Sequence, residues 1–464
     1  MTPEEFRKYG HQAIDWAADY LEHPERYPVL PAVKHGELTD ALPARGPEQG
    51  EAMEAILADF ERLIVPATTH WNHPGFMAYF GISASPPGVL GEIFAAALNV
   101  NGMLWKSSPS VVELEQVTLG WLRQWTGLPE DWFGCIYDTA STSTMHALAA
   151  AREFADADCR TKGARPGMVV YTSEQAHSSV EKGAMALGIG QDNVRKIAVD
   201  DAFRMRPEAL AAAIESDRAL GLRPCCVTAT VGTTSTTSVD PVAAIAEICR
   251  RYGIWLHVDA AYAGSAAVAP EFRWAFEGCE HADSMTTNPH KWLMTPVDCS
   301  VFYTRHPEAL RRAFSLVPEY LRTAGDPRAV NLMDYGVPLG RRFRALKLWF
   351  VMRSFGREGL AAAIREHVRL AQELARWVDA DERFERTAPA PFSVVCFRYK
   401  GTDEENRAIQ ERVNASGEIF ISGTVLQGRF TLRLAIGNRA TTEATVRRAW
   451  ELICGAARGG AAGA

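Results

Sequence analysis

Between residues 133 and 262 four short apolar runs each end in polar residues, and helical patterns separate them. The runs are Phe133-Gly-Cys-Ile-Tyr, Met168-Val-Val-Tyr-Thr, Cys225-Cys-Val-Thr-Ala-Thr-Val and Ile254-Trp-Leu-His-Val. Apart from Thr228 and Thr230 in the third run, none alternates apolar with polar residues, so both faces of these strands must be covered. Apolar strands spaced by helices predict an α/β fold, a parallel sheet clad by helices on both sides. Ligands of such sheets bind at the carboxyl ends of the strands. Here those ends lead into Asp138-Thr-Ala-Ser-Thr-Ser, Ser173-Glu-Gln-Ala-His, a Thr-rich turn and Asp259-Ala-Ala-Tyr, which are therefore expected to share one crevice.

This pattern defines a large domain over 86–345. Before it, 1–85 is helical in period, with Ala13, Ala17 and Leu21 on one face and Met53, Ile56, Leu57, Phe60, Leu63 and Ile64 on another. The prolines of Tyr27-Pro-Val-Leu-Pro-Ala separate the two stretches. Two such helices make no core alone, so they must dock on the rest of the chain or on another subunit. After it, 346–464 reads as a small α+β domain. Its elements are a helix carrying Leu360, Ile364, Val368, Ala371, Leu374 and Val378, strands at Phe392 and Phe430, and a closing helix over 442–453.

Lys plus Arg is 49 against 56 Asp plus Glu, a net charge of −7, which argues against a nucleic-acid partner. Nine cysteines, odd in number and without CxxC, fit neither a disulfide scaffold nor a structural zinc site. The charged N-terminus lacks the apolar core of a signal peptide, and no apolar stretch approaches the ~20 residues of a membrane span. A cytoplasmic protein is expected. His70 and His73 have HxxH spacing but no third ligand nearby, so no metal is predicted.

The polar strand ends carry the chemistry. Thr139, Ala140 and Ser141 open a helix, and helix-start amides with hydroxyls can bind a phosphate, or simply cap the helix. Asp259 closes a strand buried on both faces and needs a partner, either a cofactor ring nitrogen or a structural cation. His177 can stack on a flat ring or merely start a helix. Lys291, in Asn288-Pro-His-Lys-Trp, can be a Schiff-base nucleophile or a surface lysine. Taken together, the four are the parts that pyridoxal 5′-phosphate requires. A nicotinamide site is disfavoured, because Gly188-Ile-Gly190 lacks the third glycine of the fingerprint.

The motifs Gln175-Ala-His-Ser-Ser-Val-Glu, Leu256-His-Val-Asp-Ala-Ala-Tyr-Ala-Gly-Ser-Ala, Asn288-Pro-His-Lys-Trp and Pro338-Leu-Gly-Arg-Arg-Phe-Arg-Ala-Leu-Lys sharpen this reading. Over nearly its whole length the chain resembles the aromatic L-amino-acid decarboxylases, the group II pyridoxal-phosphate enzymes. The resemblance implies fold type I, with a mostly parallel seven-stranded sheet, an N-terminal helical segment that clasps a partner, and a small C-terminal α+β domain. It makes Lys291 the Schiff-base lysine and Asp259 the pyridinium partner. It places His177 and Ala261 on the two ring faces and Thr234 near the ring. It sets Thr139, Ala140, Ser141, Asn288 and His290 around the phosphate, with Gly340 arriving from the other subunit of a homodimer whose active sites lie at the interface. Tyr320 matches the family's catalytic tyrosine and would protonate Cα after decarboxylation.

Trp71, Tyr79 and Phe80 offer an aromatic substrate pocket, to which Gly81, Asn101 and Met103 are expected to contribute. These segments depart from the animal enzymes. In plant relatives Gly at the place of Gly340 goes with indole substrates and Ser with phenolic ones. Tryptophan is therefore the favoured substrate, with phenylalanine, tyrosine and DOPA also expected. Rival readings are an aromatic aldehyde synthase, whose members carry Phe at the place of Tyr320, and a pyridoxal-phosphate lyase for histidine or acidic amino acids. A non-enzymatic cofactor-binding protein is disfavoured by the intact Lys291. The cluster Arg341, Arg342, Arg344 and Lys347 is expected to hold the dimer and its own helix rather than a polyanion.

Overall fold

The structure, a computed structural model, describes residues 1–316 and 329–458. Two compact units form. One contains Ile82–Gln372 and Ala388–Cys396, the other Met1–Gly81, Glu373–Thr387 and Phe397–Ala464.

The first unit is built on a seven-stranded sheet, as expected. Its strands are β1 (Phe133–Tyr137), β2 (Met168–Ser173), β3 (Val194–Ile197), β4 (Arg223–Thr230), β5 (Trp255–Asp259), β6 (Ser284–Thr287) and β7 (Ser300–Thr304), in the order β1-β7-β6-β5-β4-β2-β3. Pairing is parallel from β6 through β5, β4 and β2 to β3, while β7 runs antiparallel to both β6 and β1. Six strands thus point one way, and their carboxyl ends lie along one edge of the sheet. β2, β5, β6 and β7 are buried at every residue, which is why their sequences show no alternation.

β3, β6 and β7 were not foreseen. β3 is a half-exposed edge strand with Arg195 and Lys196 in its middle, and β6 is the four polar residues Ser-Met-Thr-Thr. Neither carries an apolar run long enough to announce itself. The helix Ala140–Ala155 crosses the sheet on a face of small residues, with Ala147, Ala150 and Ala151 buried. All nine cysteines are free thiols, and the adjacent Cys225 and Cys226 are buried in β4.

The second unit holds an antiparallel sheet of β8 (Phe384–Arg386), the Phe397–Tyr399 part of β9 (Val394–Tyr399), β10 (Ser422–Leu426) and β11 (Arg429–Ala435), in the order β10-β11-β9-β8. Its closing helix runs over Glu443–Arg458, five residues beyond the expected end at 453. The helical run preceding β8 starts at Arg344 and is interrupted at Gly356, whose φ of 62° and ψ of 175° lie outside the helical region. The N-terminal helix Pro3–Glu22 starts with a capping box in which Thr2 and Glu5 bind each other's backbone amides. Only Leu21 of this helix is buried.

Four buried histidines give the fold a pH dependence. Burial pushes His73, His146, His257 and His290 down to about 4. Each ring is neutral in the fold but protonates at about 6.5 once unfolded. The unfolded chain therefore binds more protons between about 6.5 and 4, and stability present in full above 6.5 falls as pH drops through that window, by up to about 3 kcal/mol per ring. Buried Asp240, pushed up to about 6, opposes this below pH 6. The melting temperature is expected to fall steadily from pH 7 to 4.5. A flat profile would contradict neutral buried rings.

Candidate active site

The carboxyl edge of the large sheet collects most of the predicted residues. β5 ends at Asp259, which is buried and accepts the Ala261 amide at 3.0 Å on Oδ1. A carboxylate in that setting requires a positive counterpart. Lys291 and His177 supply the adjoining groups: His177 feels both the Asp259 charge, which favours its protonated form, and the Lys291 charge, which opposes it. Burial dominates and lowers His177. Its Nδ1 accepts the Ser179 amide at 3.1 Å, so the ring proton sits on Nε2. The imidazole is thus neutral, with its orientation fixed from its own helix.

The floor between these residues is built from small side chains. A Cβ on Gly232, whose φ is +89°, would stand 2.6 Å from the Ala263 Cβ. A Cβ on Gly264 would stand 2.5 Å from Thr287 Oγ1. The Ala-Ala-Tyr-Ala-Gly-Ser-Ala run after Asp259 therefore has a packing reason, since the chain there presses onto the ends of β4 and β6.

The phosphate side has two parts. The helix Ala140–Ala155 starts directly after β1, and Thr139 at its N-cap makes no capping hydrogen bond to it. The first-turn amides of a 16-residue helix, with the hydroxyl of exposed Ser141, are left for another acceptor, while the Thr139 hydroxyl faces Asp138 Oδ1 at 3.4 Å and Thr142 Oγ1 at 3.5 Å. The other part is Asn288 and His290. The Cys299 amide donates to His290 Nδ1 at 2.9 Å, so that ring carries its proton on Nε2. Nε2 lies 3.2 Å from Asn288 Nδ2, and Asn288 Oδ1 is buried with no hydrogen-bond partner. The Nε2 proton must meet the amide oxygen, which turns the NH2 toward the unpartnered side. A buried donor with nothing to bind is what an anion cradle presents, so the residues fit a phosphorylated cofactor.

Sequence reasoning found the cluster of charges behind this cradle but missed its partners. Lys347 is fully buried and pairs with Glu92, while Arg344 binds Asp298 through Nε at 2.9 Å and Nη2 at 3.1 Å. His290 senses both Lys347 and Asp298. Arg341 is buried against Glu115 at 2.9 Å, and Arg342 meets Glu92 at 2.6 Å. All four cations of the cluster thus find partners inside the chain. Their only signal in the sequence was their density.

Asn101, Met103 and Gly340 form a second group in the same unit. Asn101 Oδ1 accepts the Arg341 amide at 2.9 Å, and the Met333 amide donates to Met103 O at 2.9 Å. A Cβ on Gly340 would meet only Asn101 Nδ2, at 3.9 Å. Thr234 and Gly340 are exposed, and Ala261 is buried. Trp71, Tyr79, Phe80 and Gly81 belong to the other unit. There Trp71 stacks on Phe76 at 4.2 Å and on Tyr79 at 5.8 Å, and the Arg433 guanidinium lies 4.9 Å from the Phe80 ring. Gly81 is packed against backbone, since its Cβ would stand 3.0 Å from Gly437 C. His70 and His73 are engaged locally: His70 Nδ1 lies 3.0 Å from the Tyr20 hydroxyl, and His73 Nδ1 accepts the Gly75 amide at 2.9 Å. Tyr320 lies outside the described residues.

A mostly parallel sheet with a lysine, an acid, a neutral histidine and an anion cradle at its carboxyl edge defines the class, a pyridoxal-phosphate-dependent carboxy-lyase. The comparisons with known proteins agree. The family profile described as "Pyridoxal-dependent decarboxylase conserved domain" matches residues 36–400. The aromatic-L-amino-acid decarboxylase of Sus scrofa is 42% identical over 476 residues, covering 98% of this chain and 97% of the relative. A phenylacetaldehyde synthase of Arabidopsis thaliana is 40% identical over 472 residues, covering 98% and 96%. The crystal structure of Oryza sativa TDC with PLP and tryptamine superposes with a TM-score of 0.96 at 37% identity, covering 99% of this chain and 98% of that one. The chain belongs to the pyridoxal-dependent decarboxylase family, and its cofactor is pyridoxal 5′-phosphate. Among the described residues no helix is long and apolar enough to cross a membrane.

Proposed function

We propose that the protein decarboxylates aromatic L-amino acids to arylalkylamines and carbon dioxide, with tryptophan preferred. The observation that carries the preference is Gly340. Its Cβ direction is open, and its φ is not in the left-handed region, so neither packing nor backbone conformation demands glycine. What glycine leaves there is room, consistent with a substrate as wide as an indole.

The cofactor, when bound, supplies an aldehyde that captures an amine and an electron-poor ring that stabilises negative charge at Cα as the carboxylate leaves. Lys291 would hold the cofactor through its aldehyde. Asp259 keeps the ring nitrogen protonated. His177 covers one ring face, with its Nε2 proton available to the substrate carboxylate or to a proton-transfer chain. Ala261 would bound the other face, with Thr234 near the ring. The helix start at Thr139, Ala140 and Ser141, with Asn288 and His290, binds the phosphate without any net positive charge on the chain. Tyr320 donates the proton to Cα.

Both amine-forming and aldehyde-forming relatives exist at similar identity, so the product decides between two readings. Tyr320, a proton donor, favours the amine. Incubating the holoenzyme with tryptophan, phenylalanine, tyrosine and DOPA is expected to yield amine without peroxide, fastest from tryptophan. Aldehyde with peroxide, or no turnover of any of the four, would refute the reading. Gly340→Ser is expected to cut kcat/KM for tryptophan by roughly tenfold or more relative to tyrosine, the scale on which crowding discriminates in an apolar pocket. An unchanged ratio would remove Gly340 from the specificity rim.

We also infer that the active form is a homodimer. The helix Pro86–Leu98 exposes Leu90, Ile93, Phe94 and Leu98 at 40–59%. Apolar surface of this extent marks an interaction face.

A further inference from the structure

His146 belongs to none of the roles above. It lies fully buried in the second turn of the helix Ala140–Ala155. Nδ1 is 2.7 Å from the carbonyl of Thr142, in the first turn of the phosphate-side helix, and therefore donates to it. Nε2 accepts the Val337 amide at 3.2 Å. The two bonds fix one neutral tautomer. The ring is sandwiched between Tyr137, at 4.1 Å and 19°, and Phe314, at 4.6 Å and 41°. Tyr137 in turn donates its hydroxyl proton to Tyr335 O. A Cβ on Gly336 would stand 2.9 Å from His146 Nε2, so the chain passes the ring as closely as it can. A few residues on, Arg341 binds Asn101 through its amide, and its carbonyl accepts the Gly102 amide at 2.9 Å. The 335–341 strap, which carries Gly340, is thus tied at one end to the 101–103 loop and at the other to His146.

We propose that His146 is a positioning residue for the decarboxylation: it clamps the strap bearing Gly340, which is expected to reach the site of the other subunit, to the first turn of the helix that faces this chain's own phosphate, and so fixes the specificity rim that each subunit lends to the other. Packing alone would be served by any ring of this size. The hydrogen-bond acceptor aimed at Val337 distinguishes a clamp from a filler, because without it a partly buried amide loses its partner. The inference rests on the proposed function, and two variants separate its parts. His146→Phe keeps the stacking and removes the acceptor. His146→Gln returns an acceptor to the Nε2 position.

The expected results for the Phe variant are an intact near-visible cofactor band, hydrogen exchange at the Val337 amide about tenfold faster, and kcat/KM for tryptophan about tenfold lower. His146→Gln is expected to bring both back to within about threefold of the parent. Exchange unchanged in the Phe variant would overturn the clamp. So would faster exchange with kcat/KM untouched, or no rescue by Gln. Loss of the cofactor band in His146→Phe would place the residue in the phosphate cradle instead and overturn it as well. If the parent holoenzyme turns over no aromatic amino acid, the functional reading fails, while the exchange measurements still decide the clamp.

Discussion

Lys291→Ala is expected to lose the near-visible absorbance of the bound cofactor and to lower turnover by more than about 10³-fold, a barrier increase above about 4 kcal/mol. Asp259 and Lys291 both act on His177, as does Lys182. The lysine follows Asn288-Pro289-His290 in a four-residue helix, Pro289–Trp292, whose proline starts the turn without needing an amide donor. Trp292 then anchors the turn, donating from Nε1 to His367 Nδ1 at 3.0 Å and stacking on Tyr262 at 4.4 Å. Removing the amine leaves this scaffold in place, so the variant should fold and melt near the parent. Retained absorbance and retained turnover would show that Lys291 does not bind the aldehyde.

The second large effect is expected at Asp259. Asp259→Asn keeps the shape and can still accept the Ala261 amide, which Oδ1 receives at 3.0 Å, so the end of β5 is preserved. What disappears is a buried negative charge. Without it the ring nitrogen of the cofactor loses its protonated state and its power to stabilise charge at Cα. Turnover is expected to fall roughly 10²–10³-fold, the scale of removing one preorganised electrostatic partner. A second readout is His177. The Asp259 charge supports its protonated form, so the variant's histidine should titrate lower still, and any acid limb of the pH–rate profile that reports it should move to lower pH. Activity within threefold of the parent would mean that the carboxylate is a structural ion-pair member rather than the ring partner.

These two residues also show how far the chain's chemistry is legible before its coordinates. Asp259 is visible because an acid at the end of a two-face-buried strand is anomalous by itself. Lys291 is visible only by its company, since a lysine in isolation carries no signal. The large sheet could be read from four continuous apolar strands, but β3, β6 and β7 could not. An edge strand is half solvated, and β6 takes its stability from the neighbours on either side rather than from its own composition. The charges behind the cradle were legible as a cluster but not as pairs, because Glu92, Glu115 and Asp298 come from distant parts of the chain. His146 carries no signal of its own, because nothing local distinguishes a core histidine with two backbone partners from one with none. Gly356 likewise sits in an apolar period that continues past it, so the interruption of the helical run depends on a backbone angle that periodicity does not encode.

The small-residue floor beneath the strand ends has one more consequence. Gly232 and Gly264 leave no space for even a methyl group, while Gly340 faces open room. Inherited variation is therefore channelled. A lineage can explore new side chains at the rim without disturbing the electron sink, whereas the first step into the floor already breaks the packing at the strand ends. Enzymes on this scaffold should then diverge in what they accept long before they diverge in what they do to it.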